Sequence, residues 1–122
     1  MSKSFVTPYH EALSWIENYP GTGSASSLAK LLLSLWNSEC SFSYRECIDN
    51  LDDTLAHLAV RVIKHFSDHG EDEDLVRVGY RVHELYPRLW DAGQAMREAR
   101  AELRRQWERE QEEEIRANPD GG

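Results

Sequence analysis

The chain has 122 residues, 40% of them hydrophobic and 30% charged, with four Pro, seven Gly and two Cys. A chain of that size buries about two-thirds of its unfolded surface in one compact domain, so folding requires neither a disulfide framework nor a structural metal, and no cofactor is implied. Fourteen Lys and Arg against twenty-two Asp and Glu leave a net charge of -8, which opposes nonspecific binding to phosphate backbones and anionic membranes.

No apolar run outlasts Leu31 to Leu33, far short of the roughly 20 residues of a spanning helix. The first thirty residues carry no basic start followed by an apolar core and a cleavage site, and neither end carries a lipidation signal. These features predict a cytoplasmic chain that does not engage a membrane, with Cys40 and Cys47 as free thiols.

Apolar residues recur every three or four positions through nearly every long segment, which predicts an all-α fold. Thr7 and Pro8 read as an N-cap and first helical residue, and Tyr9, Leu13, Ile16 and Tyr19 follow at helical spacing to define a helix over roughly 8–19. Pro20-Gly21-Thr22-Gly23 stops it. Serines beyond that break offer N-caps for a second helix over roughly 25–37, carrying Leu28, Leu31, Leu32, Leu35 and Trp36.

Ser43 and Glu46 have the spacing of a capping box, with Phe42 placed to pack on Cys47 as a hydrophobic staple. From there Tyr44, Cys47, Ile48, Leu51, Leu55, Leu58, Val62 and Phe66 keep one face apolar as far as Gly70. This predicts a third helix that is one rod of about seven turns. Four acids, Glu71 to Asp74, suit the start of a fourth helix, along which Leu75, Val76, Gly79, Val82 and Tyr86 repeat. Pro87 predicts a break or kink, after which Leu89, Met96 and Leu103 carry the apolar line into a fifth helix rich in Arg, Glu and Ala. Asn118 to Gly122 are expected to be a disordered tail behind a single domain spanning 1–117. The predicted architecture is a compact antiparallel bundle of four to five helices, with the long third helix central and the C-terminal helix extending from it. Residues 1–44 hold seven of the twelve aromatics and few charges, so that part is either core or partner surface.

Asp49, Asp53, His57, Arg61, His65 and His69 recur every four residues, and a pair such as His65 and His69 is spaced to hold a transition metal. The stripe lies opposite the apolar face, where such residues are ordinarily solvated, and neither Glu-x-x-His pairs nor His-Glu-x-x-His occurs. Cys40 and Cys47 form no Cys-x-x-Cys pair; Cys47 belongs in the core, while Cys40 is placed where it could be exposed. Gly21-Thr22-Gly23-Ser24 precedes a helix but lacks the Lys of a phosphate loop and a preceding strand, so it reads as an interhelical connection.

Arg77, Arg81, Arg88, Arg97, Arg100, Arg104, Arg105 and Arg109 are interleaved with glutamates, and Arg104 with Glu108 and Arg109 with Glu113 are spaced for intrahelical pairs. The stretch therefore reads as a self-compensating helix, and direct nucleic-acid binding is not expected. Trp90 and Trp107 flank the apolar line of the last helix, Trp90 reading as core and Trp107 as an interface anchor.

No coherent catalytic set emerges. The sequence reads as a non-enzymatic protein–protein interaction module, an adaptor or regulator that self-associates, as a homodimer, through Met96, Leu103, Trp107 and Trp90 or through the aromatic-rich first two helices. The alternative is an inhibitor whose acids at Asp49, Asp52, Asp53, Glu71, Asp72, Glu73 and Asp74 occupy the basic site of a nucleic-acid-binding protein. Third is a small metal-binding helical protein resting on His65 and His69.

Overall fold

The computed structural model describes residues 7–117, so the tail expected at 118–122 lies outside the described residues. Within these residues six helices make up an all-α bundle: α1 (Pro8–Asn18), α2 (Gly23–Trp36), α3 (Tyr44–Ile48), α4 (Asp53–His69), α5 (Glu73–Leu85) and α6 (Pro87–Ala117). Among the described residues there is no strand, and no helix is long and apolar enough to cross a membrane.

Helix starts follow side-chain chemistry. The Thr22 hydroxyl accepts a hydrogen bond from the Ala25 amide, which starts α2 at Gly23, two residues before the predicted start. Ser43 accepts from the Glu46 amide as the capping box requires, while Asp52 and Asp72 accept from Leu55 and Leu75 at the starts of α4 and α5. Thr7 precedes Pro8 in extended conformation but makes no side-chain cap bond. Its hydroxyl instead donates to the Asp74 carboxylate, tying the entry of α1 to the first turn of α5.

The predicted third helix is two helices. α3 stops after Ile48, Asn50 takes the left-handed conformation at φ 62°, and the chain restarts at the Asp52 cap. Asp49, Asn50, Asp52 and Asp53 crowd this stretch, and such side chains draw backbone groups into local bonds that compete with a helix. The Ser27 hydroxyl fixes the turn by donating to the Asp49 carbonyl. Apolar periodicity continues across the break, which is why it reads as one rod.

The centre of the bundle is α2, which packs against each of the other five helices. Ala25, Ser27, Leu28, Ala29, Leu31, Leu32 and Leu33 are all buried, so it is covered on every side, and Lys30 is its only charged residue. No residue of α2 after Gly23 is exposed, and its only polar strip is the half-buried Ser26, Lys30 and Ser34, so it belongs inside, whereas α4 keeps the one-sided pattern of a surface helix. Gly70 ends α4 at φ 68°, and Pro87 separates α5 from α6 after Tyr86.

Two glycines let helices approach their neighbours. A Cβ on Gly79 would overlap the Trp36 indole, and one on Gly93 would overlap the Cys40 sulfur. Gly79→Ala is expected to lower stability by a net of about 1–2 kcal/mol, overpacking against the rigid Trp36 ring costing about 2–3 kcal/mol and helix propensity returning roughly 1 kcal/mol. Urea denaturation measures the difference; a midpoint at or above wild type would show that α5 does not seat against Trp36 in this way.

Candidate functional site

α6 contains 31 residues, about 46 Å of helix at the standard rise, and only its first half lies on the bundle. Gly93 is buried, and its carbonyl accepts the Ser41 amide at 3.2 Å. Leu89 and Trp90 are half-buried against the core, and the Trp90 ring lies 5.4 Å from that of Trp36 and 5.1 Å from that of His83. Met96 is also half-buried, and Arg100 donates to the Ser41 hydroxyl at 2.7 Å. From Glu102 to Ala117 every residue is exposed, a projection of about 24 Å.

The apolar line does not stop where the bundle does. Met96, Leu103 and Trp107 are seven and four residues apart, so they lie along one face of the helix. Leu103 is 43% exposed, Trp107 58% and, farther round, Ile115 62%. Trp90 thus belongs to the edge of the core, and Leu103 and Trp107 stand clear of it.

Charge pairing along α6 differs from the spacing-based expectation. Arg105 and Arg109 both turn to Glu102, at 2.8 and 3.4 Å, Arg97 pairs with Glu98, and Arg116 pairs with Glu112. Arg105 and Arg109 hold the Glu102 carboxyl below its usual range. Among the described residues the expected pair Arg109 with Glu113 is not formed because Glu102 takes up Arg109 from the preceding turns, and Arg104 and Glu108 also stay apart.

The histidine stripe is shortened by the turn before α4, which removes Asp49 from it. Arg61 reaches across to Glu11 through two bonds of 3.1 and 2.6 Å. His65 Nε2 lies 3.1 Å from the Asp72 carboxylate, with its ring edge-on to Tyr9 at 5.0 Å and 4.5 Å from the ring of His69. Among the described residues no three His, Cys, Asp or Glu side chains gather as a metal site. Burial and the charges of Asp72 and Asp74 push the Tyr9 hydroxyl up to about 12, and that hydroxyl donates to the Gly70 carbonyl.

The seven acids singled out in the sequence do not share one surface. Asp49, Asp52 and Asp53 sit at the start of α4, and Glu71 to Asp74 follow its end, about 25 Å away along 17 residues of helix. Asp52 and Asp72 are engaged as helix caps. Asp74, expected on the acidic surface, is buried at 7% exposure, where it accepts from Thr7 and faces Arg77 at 3.6 Å.

Cys40, whose place in the sequence left exposure open, is buried, because Gly93 brings α6 down over it. Burial, with a smaller contribution from Cys47, pushes the Cys40 thiol up to about 11, and burial also raises Cys47. Both are therefore protonated near neutral pH and poor nucleophiles.

Sequence reasoning missed a groove of about 520 Å³ between α1 and the start of α4, lined by Glu11, Trp15, Tyr19, Asp52 and Leu55 among others. Trp15 and Tyr19, one turn apart, stack at 4.1 Å on its wall, and that spacing was the available signal. Glu11 is paired to Arg61 and Asp52 caps α4, so neither is poised for proton transfer. No family model, curated protein or solved structure matches the chain.

Burial alone would raise the Asp72 carboxyl, but the Leu75 amide, His65 and the Asp74 amide together hold it below 3.8. A carboxyl depressed in the folded state contributes stability above its unfolded pKa and loses it as pH falls through the folded value. Asp72→Ala is expected to cost about 1 kcal/mol at pH 7, as loss of an N-cap does. Paired urea titrations at pH 7 and pH 3 should show the gap between variant and wild type narrowing at the lower pH; a constant gap would separate the cap from the charge.

Proposed function

We propose that the chain is a non-enzymatic protein–protein interaction module, an adaptor or regulator, which binds its partner through the projecting end of α6. The observation that carries this reading is the apolar line of α6 continuing past its last bundle contact, with Leu103 and Trp107 exposed. Exposed Trp on a helix face is a common anchor of interfaces, and its indole supplies much contact area with few rotatable bonds. A helix with this spacing fits a partner that offers an apolar groove or a second amphipathic helix. The buried, protonated thiols and the divided acids give less support to an enzyme or to a mimic of nucleic acid. The two free thiols suit a reducing compartment, and we place the chain in the cytoplasm.

A photo-crosslinking amino acid at position 103 or 107, introduced in the cell that makes the protein, is expected to give one discrete cross-linked species. The same residue at position 112, which pairs only with Arg116 within the helix, should give little. Equal yields at all three positions, or none at 103 and 107, would remove the basis for this reading. Trp107→Ala should abolish the cross-link from position 103 while shifting thermal stability by no more than about 0.5 kcal/mol, as is usual for exposed positions.

A further inference from the structure

We propose that the partner of α6 is a second copy of this chain, laid antiparallel across it with the twofold axis passing close to Trp107. This rests on the interaction reading above and adds to it the identity and direction of the partner. The projecting helix is polar in its charge: residues 97–105 contain four Arg and two Glu, and residues 108–114 contain five Glu and one Arg. Trp107 lies between the two stretches. Parallel copies would oppose base to base and acid to acid, whereas antiparallel copies oppose the basic stretch of each to the acidic stretch of the other.

The register follows from the spacing. With Trp107 on the axis, residues equally distant before and after it face each other across the pair. Arg104 and Glu110 stand three residues from Trp107 on either side, and Arg100 and Glu114 stand seven, so all four share its face of the helix. Arg104 of each copy then meets Glu110 of the other, and Arg100 meets Glu114. The same register sets small Ala99 opposite the exposed Ile115.

A second observation agrees with this arrangement. Among the described residues, the ion pairs within the projecting part link Glu102 to Arg105 and Arg109, and Glu112 to Arg116. Among the described residues Arg100 meets only the Ser41 hydroxyl and Arg104 has no carboxylate partner, while Glu110 meets only the Gln106 amide and Glu114 has no cationic partner. Among the described residues, Arg100, Arg104, Glu110 and Glu114 are thus left without an opposite charge, as are Glu108 and Glu113, and the antiparallel register supplies one to the first four.

Length fits as well. The exposed stretch starts at Glu102, just past the Arg100 contact with the bundle, and the helix is described to Ala117. With Trp107 on the axis, residues 102–112 of the two copies face each other, and residues 113–117 of each run on beside residues 97–101 of the other, next to its globular body. Two helices of about 24 Å bury less than the roughly 1,200 Å² of a standard interface, so the expected dissociation constant is on the order of micromolar.

Sedimentation equilibrium of the full chain tests the proposal with two double variants, Arg100→Glu/Arg104→Glu and Glu110→Arg/Glu114→Arg. Each alone should weaken self-association by roughly ten- to a hundredfold, since attractions become repulsions on both sides of the axis. An equimolar mixture should form a heterodimer at least as tight as the wild-type pair, and raised salt should weaken wild type. Circular dichroism checks that both variants retain their helix content; if one does not, the single changes Arg104→Glu and Glu110→Arg replace it. A wild-type dimer whose variants are not rescued by mixing overturns the antiparallel pairing. A wild-type chain that stays monomeric at several hundred micromolar, roughly a hundredfold above the expected constant, overturns self-pairing altogether. If cross-links from positions 103 and 107 then join a different protein, the interaction reading survives; if they join nothing, both readings fail.

Discussion

The bundle depends on α2 being enclosed. Alanine, serine and leucine cover its circumference, and its one charged residue, Lys30, reaches the edge of the core near the Phe42 ring. An enclosed helix needs neighbours on every side, and the short connections of the chain supply them by returning α1, α3, α4, α5 and α6 to it in turn. Small residues set how closely they come: Gly79 admits Trp36, while Gly93 admits Cys40 and the loop that carries it. The remaining polar links, Thr7 to Asp74, Ser27 to Asp49 and Tyr9 to Gly70, join segments already brought together by this burial.

Local chemistry was the most legible part of the fold. The Pro8 start, the Ser43 capping box, the Gly70 stop and the Pro87 break each depend on one or two side chains and on backbone geometry close by, so sequence order alone exposes them. The turn at Asp49 to Asp52 was hidden for a related reason. Its apolar neighbours Ile48, Leu51 and Leu55 keep helical spacing across it, and the competing bonds involve Ser27, far away in sequence. The centrality of α2 was also obscured, because a long amphipathic pattern draws more notice than a shorter helix whose one polar strip, Ser26, Lys30 and Ser34, is itself half-buried. What decides centrality is the lack of a wet side.

The candidate surface was only partly visible. Leu103 and Trp107 stood out because few apolar residues surround them, and they are exposed in the structure. The acids were harder to judge, since a carboxylate reads the same whether it caps a helix, lies buried beside a threonine or faces solvent. Asp72, Asp74 and Glu73 are close in sequence and occupy those three situations in turn. Ion pairing on α6 was equally ambiguous from spacing, because Glu102 has more than one arginine within reach and its choice of Arg105 and Arg109 leaves others without a partner.

A rod held near one end is a lever. The seat of α6 is Gly93, pressed onto the Cys40 loop, with Arg100 as the last tether. From Gly93 to Ala117 runs about 36 Å of helix, so a tilt of about 5° at the seat carries the tip through about 3 Å. Slight repacking around one glycine is thereby magnified into a displacement comparable to the tolerance of a side-chain contact, coupling the tightness of the bundle floor to the alignment of whatever the tip grips.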